Sequence, residues 1–206
     1  MPLFLRYLTE VRGLTDAQMT TGFFDGTTLT PQEYLSRALG PGVMQQAWAD
    51  FAALMTASFI EGPGEPMPDW LLSPRQRDVS LIERARVMRE TPDPQVENDI
   101  ALTLKIGADW ASPPLLLRPR PWSYNVLRIA QPHRAGIVWF QADGPGRMIL
   151  RLVARTGDQW ALTPLEPGQT LDLAKADSAF IVVTWAPPIF EGAQPAGYRI
   201  RIDPEP

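Results

Sequence analysis

The sequence predicts an α+β protein, an N-terminal helical subdomain followed by an antiparallel β-sandwich that is jelly-roll-like. Three observations carry that prediction. Apolar residues recur at helical spacing as far as about residue 60. Beyond about residue 96 the spacing changes to the alternation of strands. The chain of 206 residues also holds 22 prolines, about twice the usual share, which favours short strands and turns over long helices. The expected division is 1–60 for the helical subdomain, 61–95 for a proline-rich linker with a helix in it, and 96–206 for the β-sandwich domain.

At the start, Pro2 suits a first helical turn, and Leu5, Leu8 and Val11 share a face before Gly13 stops the run. Thr30-Pro31-Gln32-Glu33 then reads as a capping box, with Tyr34, Leu35, Ala38 and Leu39 facing inward and Gly40 closing the helix. A third helix, from about Val43 to Phe59, carries Met44, Ala47, Trp48, Phe51, Leu54 and Met55 along one stripe. Three such helices with brief loops are expected to pack together. Residues Glu61–Asp69, Glu-Gly-Pro-Gly-Glu-Pro-Met-Pro-Asp, read as a linker, and Ser73-Pro74-Arg75-Gln76 opens a further helix over Pro74–Arg89.

Ile100, Leu102, Leu104 and Ile106 alternate with Ala101, Thr103 and Lys105, as in a half-buried strand. Further strands are expected at Tyr124–Ile129, Gly136–Gln141, Met148–Ala154, Gln159–Leu162, Thr170–Leu173, Phe180–Trp185 and Tyr198–Ile202. Turn signals such as Asp143-Gly144-Pro145-Gly146 and Thr156-Gly157-Asp158 separate them. Short strands at such regular spacing point to a sandwich.

Composition narrows the chemistry. A net charge of −4 and a pI near 5.1 lack the basic footprint of a general nucleic-acid binder. The absence of cysteine excludes disulfides, thiol catalysis and iron–sulfur sites. The apolar stretch Phe51–Ile60 is too short to span a membrane, and the first residues do not read as a signal peptide. With His133 as its one histidine, the chain offers no zinc ligand set and no ready Ser–His–Asp triad; His133 reads as a surface turn residue. Asp143-Gly144 lacks calcium-loop spacing, and no phosphate loop or dinucleotide fingerprint is present. No catalytic residue, metal ligand or cofactor is therefore expected. A carboxylate-based hydrolase is the enzymatic alternative that spacing leaves open, with Glu33, Glu83, Glu97 and Asp109 as unsupported candidates.

Aromatic residues are the more informative feature. Trp110, Trp122, Tyr124, Trp139, Trp160 and Trp185 all fall in or beside the β-rich part. Their ordinary reading is core, above all for Trp139 and Trp185, which lie inside apolar runs. Trp122 and Tyr124, beside prolines at a strand start, are the better exposed candidates. Together with Asn125 and Trp110 they form the expected contact set for a carbohydrate or protein partner.

Leu3-Phe4-Leu5-Arg6-Tyr7-Leu8-Thr9-Glu10 with Gly13, Pro31-Gln32-Glu33-Tyr34-Leu35 and Trp48-Ala49-Asp50-Phe51 resemble the helical region downstream of the zinc site in gluzincin-type metallopeptidase-like proteins. Trp110 through Asn125 is similar to the passage into the β-sandwich of the DUF6055-like proteins of that group. The His-Glu-x-x-His helix is absent from this chain, so no metal or catalytic residue carries over. The resemblance implies the non-catalytic C-terminal part of a longer, exported, peptidase-like protein, with a role in support or recognition.

Overall fold

The structure, a computed structural model, describes residues 4–5, 7–20, 31–59, 100–143, 147–157, 159–187 and 194–205. The expected linker at 61–69, the helix expected over 74–89 and the capping Thr30 lie outside the described residues.

The N-terminal segment differs from a regular helix. Tyr7–Val11 forms a π-helical turn in which the Arg12 N–H donates to Tyr7 O at 3.1 Å. The wider turn moves the buried face onto Phe4, Tyr7 and Leu8 and leaves Val11 exposed, which corrects the expected Leu5–Leu8–Val11 stripe. Gly13 ends the turn at φ +72°, where the Leu14 N–H reaches Leu8 O at 3.0 Å in a Schellman-type closure. A short helix α1 (Asp16–Thr20) follows, then α2 (Pro31–Leu39) and α3 (Pro41–Phe59). Gly40, at φ +87°, makes the corner between α2 and α3. Leu35 is buried as expected, whereas Ala38 is exposed and Ser36 takes the covered position.

Helix α3 is buried on two sides, not along one stripe. Met44, Ala47 and Phe51 pack with Phe4, Tyr7, Leu8 and Leu35 in a helical cluster that also takes in Trp122 and Ala186. The second side is made of small residues: Ala52 and Ala53 pack against Val126, Val153, Phe180 and Val182, and Ala49 and Thr56 are also buried. Side chains this short let the helix lie close upon a sheet. Asp50 and Gln46 on α3 then meet Arg151, whose side chain is only 7% exposed. Its Nε donates to Asp50 Oδ1 at 2.7 Å and its Nη2 to Gln46 Oε1 at 2.5 Å. A charge so well covered requires partners of this kind.

The strands are β1 (Ile100–Lys105), β2 (Ser123–Ala130), β3 (Gly136–Asp143), β4 (Met148–Thr156), β5 (Gln159–Leu165), β6 (Thr170–Leu171), β7 (Ser178–Trp185) and β8 (Gly197–Pro204). Every segment expected as a strand contains one, although of Thr170–Leu173 only Thr170–Leu171 is strand. They form a five-stranded sheet in the order β1-β2-β7-β4-β5 and a three-stranded sheet in the order β6-β3-β8. Pro164 falls on β5, at the sheet edge, where a missing N–H costs no ladder bond. Leu127, Ile181 and Val183 of the larger sheet form one buried cluster with Val138, Tyr198, Ile200 and Ile202 of the smaller.

Pairing is antiparallel except between β1 and β2, which run parallel. Parallel neighbours need a long crossover. Here residues 106–122 supply it, crossing to the smaller sheet, where Ala111 and Ile200 exchange backbone hydrogen bonds at 2.8 and 2.9 Å. A Leu115–Leu117 3-10 turn leads the chain back to β2.

Candidate recognition surface

The middle strands of the five-stranded sheet are covered on both faces, by the shared core and by α3, while the edge strand β5 is largely exposed. On the three-stranded sheet alternation puts Val138 of β3 and Tyr198, Ile200 and Ile202 of β8 into the core, with Phe140 packed partly buried against it. The opposite face therefore displays Ile137, Trp139 and Gln141 from β3 and Arg199, Arg201 and Asp203 from β8. In the ladder Trp139 stands beside Arg201, Gln141 beside Arg199 and Ile137 beside Asp203.

Trp110 completes this face. The two backbone bonds between Ala111 and Ile200 lay its indole against β8, with the guanidinium carbons of Arg199 and Arg201 at 5.1 and 5.0 Å from the ring centroid. That is cation–π distance for both. Each guanidinium is also pinned laterally: Arg199 Nε donates to Gln141 Oε1 at 2.6 Å, and Arg201 Nη2 lies 3.1 Å from Asp203 Oδ2. Trp110 keeps 37% of its surface exposed and Trp139 keeps 39%. The result is a shallow platform of two indoles, two fixed cations and a polar border. It offers stacking surfaces and N–H donors.

Of the contact set expected from sequence, only Trp110 reaches this platform. Trp122 is buried, correcting its expected exposure: its backbone takes a left-handed φ of 56°, its N–H donates to Trp185 O at 2.9 Å, and its ring meets Trp48 edge-on at 6.1 Å. Tyr124 is half-buried between α3 and the larger sheet. Asn125 is buried as a clamp; its Nδ2 donates to Leu117 O at 2.9 Å and to the Tyr198 hydroxyl oxygen at 3.0 Å. Burial drives the Tyr198 hydroxyl well above the usual tyrosine range, against a smaller opposing effect of the Asn125 bond. Trp185 is core, as its apolar run implies, but Trp139 is not. The residues missed from sequence, Arg199, Arg201 and Gln141, carried a signal in Tyr198-Arg199-Ile200-Arg201-Ile202, whose alternation sets both arginines on one side.

His133 is exposed between β2 and β3, as expected of a turn residue. Of the acids weighed for hydrolysis, Glu33 lies on α2 and Asp109 is exposed between β1 and Trp110, while Glu83 and Glu97 lie outside the described residues. Among the described residues, no group of three or more His, Asp or Glu side chains is placed to hold a metal ion, and no helix is long and apolar enough to cross a membrane. No protein-family model matches the chain, and no curated protein sequence matches it significantly.

Proposed function

We propose that this protein is a non-catalytic recognition module that binds a carbohydrate chain across the outward face of its three-stranded sheet. The two sheets are read as a β-sandwich of jelly-roll type, supported by their common buried cluster and by the strand alternation. One observation carries the functional reading: Trp110 rests upon two laterally pinned guanidinium groups while more than a third of its surface stays open. An indole held this way loses little entropy when a ligand stacks on it. A sugar ring presents C–H groups on its faces and hydroxyls at its rim, which suits indole faces bordered by Arg199, Gln141, Arg201 and Asp203. On the gluzincin resemblance, such a module would support or target the catalytic part of a longer peptidase-like protein.

Tryptophan fluorescence titration against a panel of soluble oligosaccharides tests the reading. A saturable change with at least one of them, lost in both Trp110→Ala and Trp139→Ala, is the expected outcome. Saturable binding of peptides but of no glycan would transfer the same face to protein recognition; no response to either would reject it.

A further inference from the structure

We propose that a second site, a groove where β1 and β2 end, binds a small oxyanion, a phosphate or carboxylate group, between Lys105 and Arg134. It is separate from the Trp110 platform and stands or falls independently of it.

Topology creates the groove. Because β1 and β2 run parallel, they leave the sheet at the same end, and the last residue of β1, Lys105, pairs with the last residue of β2, Ala130. Antiparallel partners would have sent the two exits to opposite ends. The turn Gln131-Pro132-His133-Arg134 therefore starts directly beside Lys105. Lys105, Ile106, Ala130, Gln131 and Arg134 line a groove of about 270 Å³. That is slightly below the range of pockets that hold drug-sized ligands, and suits a small ion or the anionic end of a larger molecule.

The groove brings two cations to one cavity. Arg12, Arg147, Arg151 and Arg201 each face a carboxylate. The side chains of Lys105 and Arg134 form no ion pair or hydrogen bond among the described residues, although they share one groove in a chain of net charge −4. The Asp203 carboxylate, at the neighbouring end of β8, is held by Arg201, and exposed Glu205 pairs with neither cation. Two like charges left facing one cavity repel each other until an anion joins them. An ammonium and a planar guanidinium fork together suit an oxyanion with several acceptor atoms.

Gln131 strengthens the case. It holds φ at 52°, a left-handed backbone conformation that a residue with a Cβ seldom adopts, and buried Pro132 anchors the turn after it. Strain of this kind persists where the surroundings impose it, commonly at ligand sites. Here it bends the chain immediately after β2, where Gln131 and Arg134 join Lys105 in lining the groove.

Isothermal titration calorimetry of the full chain at low ionic strength, with inorganic phosphate and separately with succinate as probes, tests the site. Saturable binding of at least one probe is expected, weakening as sodium chloride is added. Lys105→Ala and Arg134→Ala are each expected to weaken it by about tenfold or more, the scale of a lost charge-assisted hydrogen bond. Lys175→Ala, at an exposed turn elsewhere, leaves it unchanged. Preference for phosphate assigns a phosphorylated ligand, and preference for succinate a carboxylate. Circular dichroism verifies that each variant is folded. Absence of saturable binding to the wild-type chain at millimolar probe, or binding that survives both substitutions, overturns the proposal.

Discussion

The two sheets share a core but differ in their second faces, one packed against α3 and the other open. In the five-stranded sheet, β7 is buried without interruption from Ala179 through Trp185. Ile181 and Val183 serve the shared core while Phe180 and Val182 serve the interface with α3. A strand covered on both sides reads as a continuous apolar run. In the three-stranded sheet, β8 alternates Tyr198, Ile200 and Ile202 inward with Arg199, Arg201 and Asp203 outward. The middle strands of one sheet pack on both faces; the other sheet leaves one face exposed.

Substitutions that sharpen this contrast fall in a clear order. Phe180→Ala, at a fully buried ring between α3 and β7, is expected to lower unfolding free energy by about 3–5 kcal/mol, read by urea denaturation. Asp50→Ala comes next. It leaves the covered Arg151 with only Gln46 and a main-chain carbonyl, and because Asp50 itself is 34% exposed the loss is expected near 2 kcal/mol rather than the full cost of breaking a buried pair. An unchanged denaturation midpoint in this variant would show that α3 is not held to the sheet by that contact.

Tyr198→Phe has a smaller effect with a pH signature. The Tyr198 hydroxyl ionises at higher pH in the folded chain than in the unfolded one. The folded state therefore holds more protons above the ordinary tyrosine range, and stability falls as pH rises past about 10. At neutral pH the substitution removes the acceptor for Asn125 and is expected to cost about 1 kcal/mol. Denaturation between neutral pH and pH 11 is expected to show a shallower alkaline decline in Tyr198→Phe than in wild type, with Tyr7, also raised by burial, supplying part of what remains.

The smallest change in stability is expected on the open face. Trp139→Ala removes a partly exposed ring and is expected to shift unfolding by no more than about 0.5 kcal/mol, as surface substitutions do. A loss on the scale of Phe180→Ala would mean that this face is packed rather than available.

Much of the fold was legible because its signals are local. Each strand from Ile100 to Ile202 announced itself by alternation or by an apolar run between turn residues, and α3 by its spacing. The second buried side of α3 was not legible, since Ala49, Ala52 and Ala53 give little hydrophobic signal and acquire meaning only when a sheet lies against them. The platform was half legible. Trp139 sits within Val138-Trp139-Phe140, where a continuous apolar run hides which side each residue faces, so it read as core. Trp122, flanked by Pro121, read as exposed, yet a left-handed backbone turns it into the helical cluster, a consequence of tertiary contacts. The parallel pairing of β1 with β2 likewise depends on the crossover through Ala111, which alternation alone does not encode.

Chemical footprinting of the tryptophans with N-bromosuccinimide, read residue by residue by mass spectrometry with and without a bound oligosaccharide, tests most directly whether the open face is the recognition face. Trp110 and Trp139 are expected to oxidise ahead of Trp122 and Trp185, and to be protected when the oligosaccharide binds. Oxidation of Trp110 and Trp139 that continues unchanged beneath saturating ligand would contradict the account.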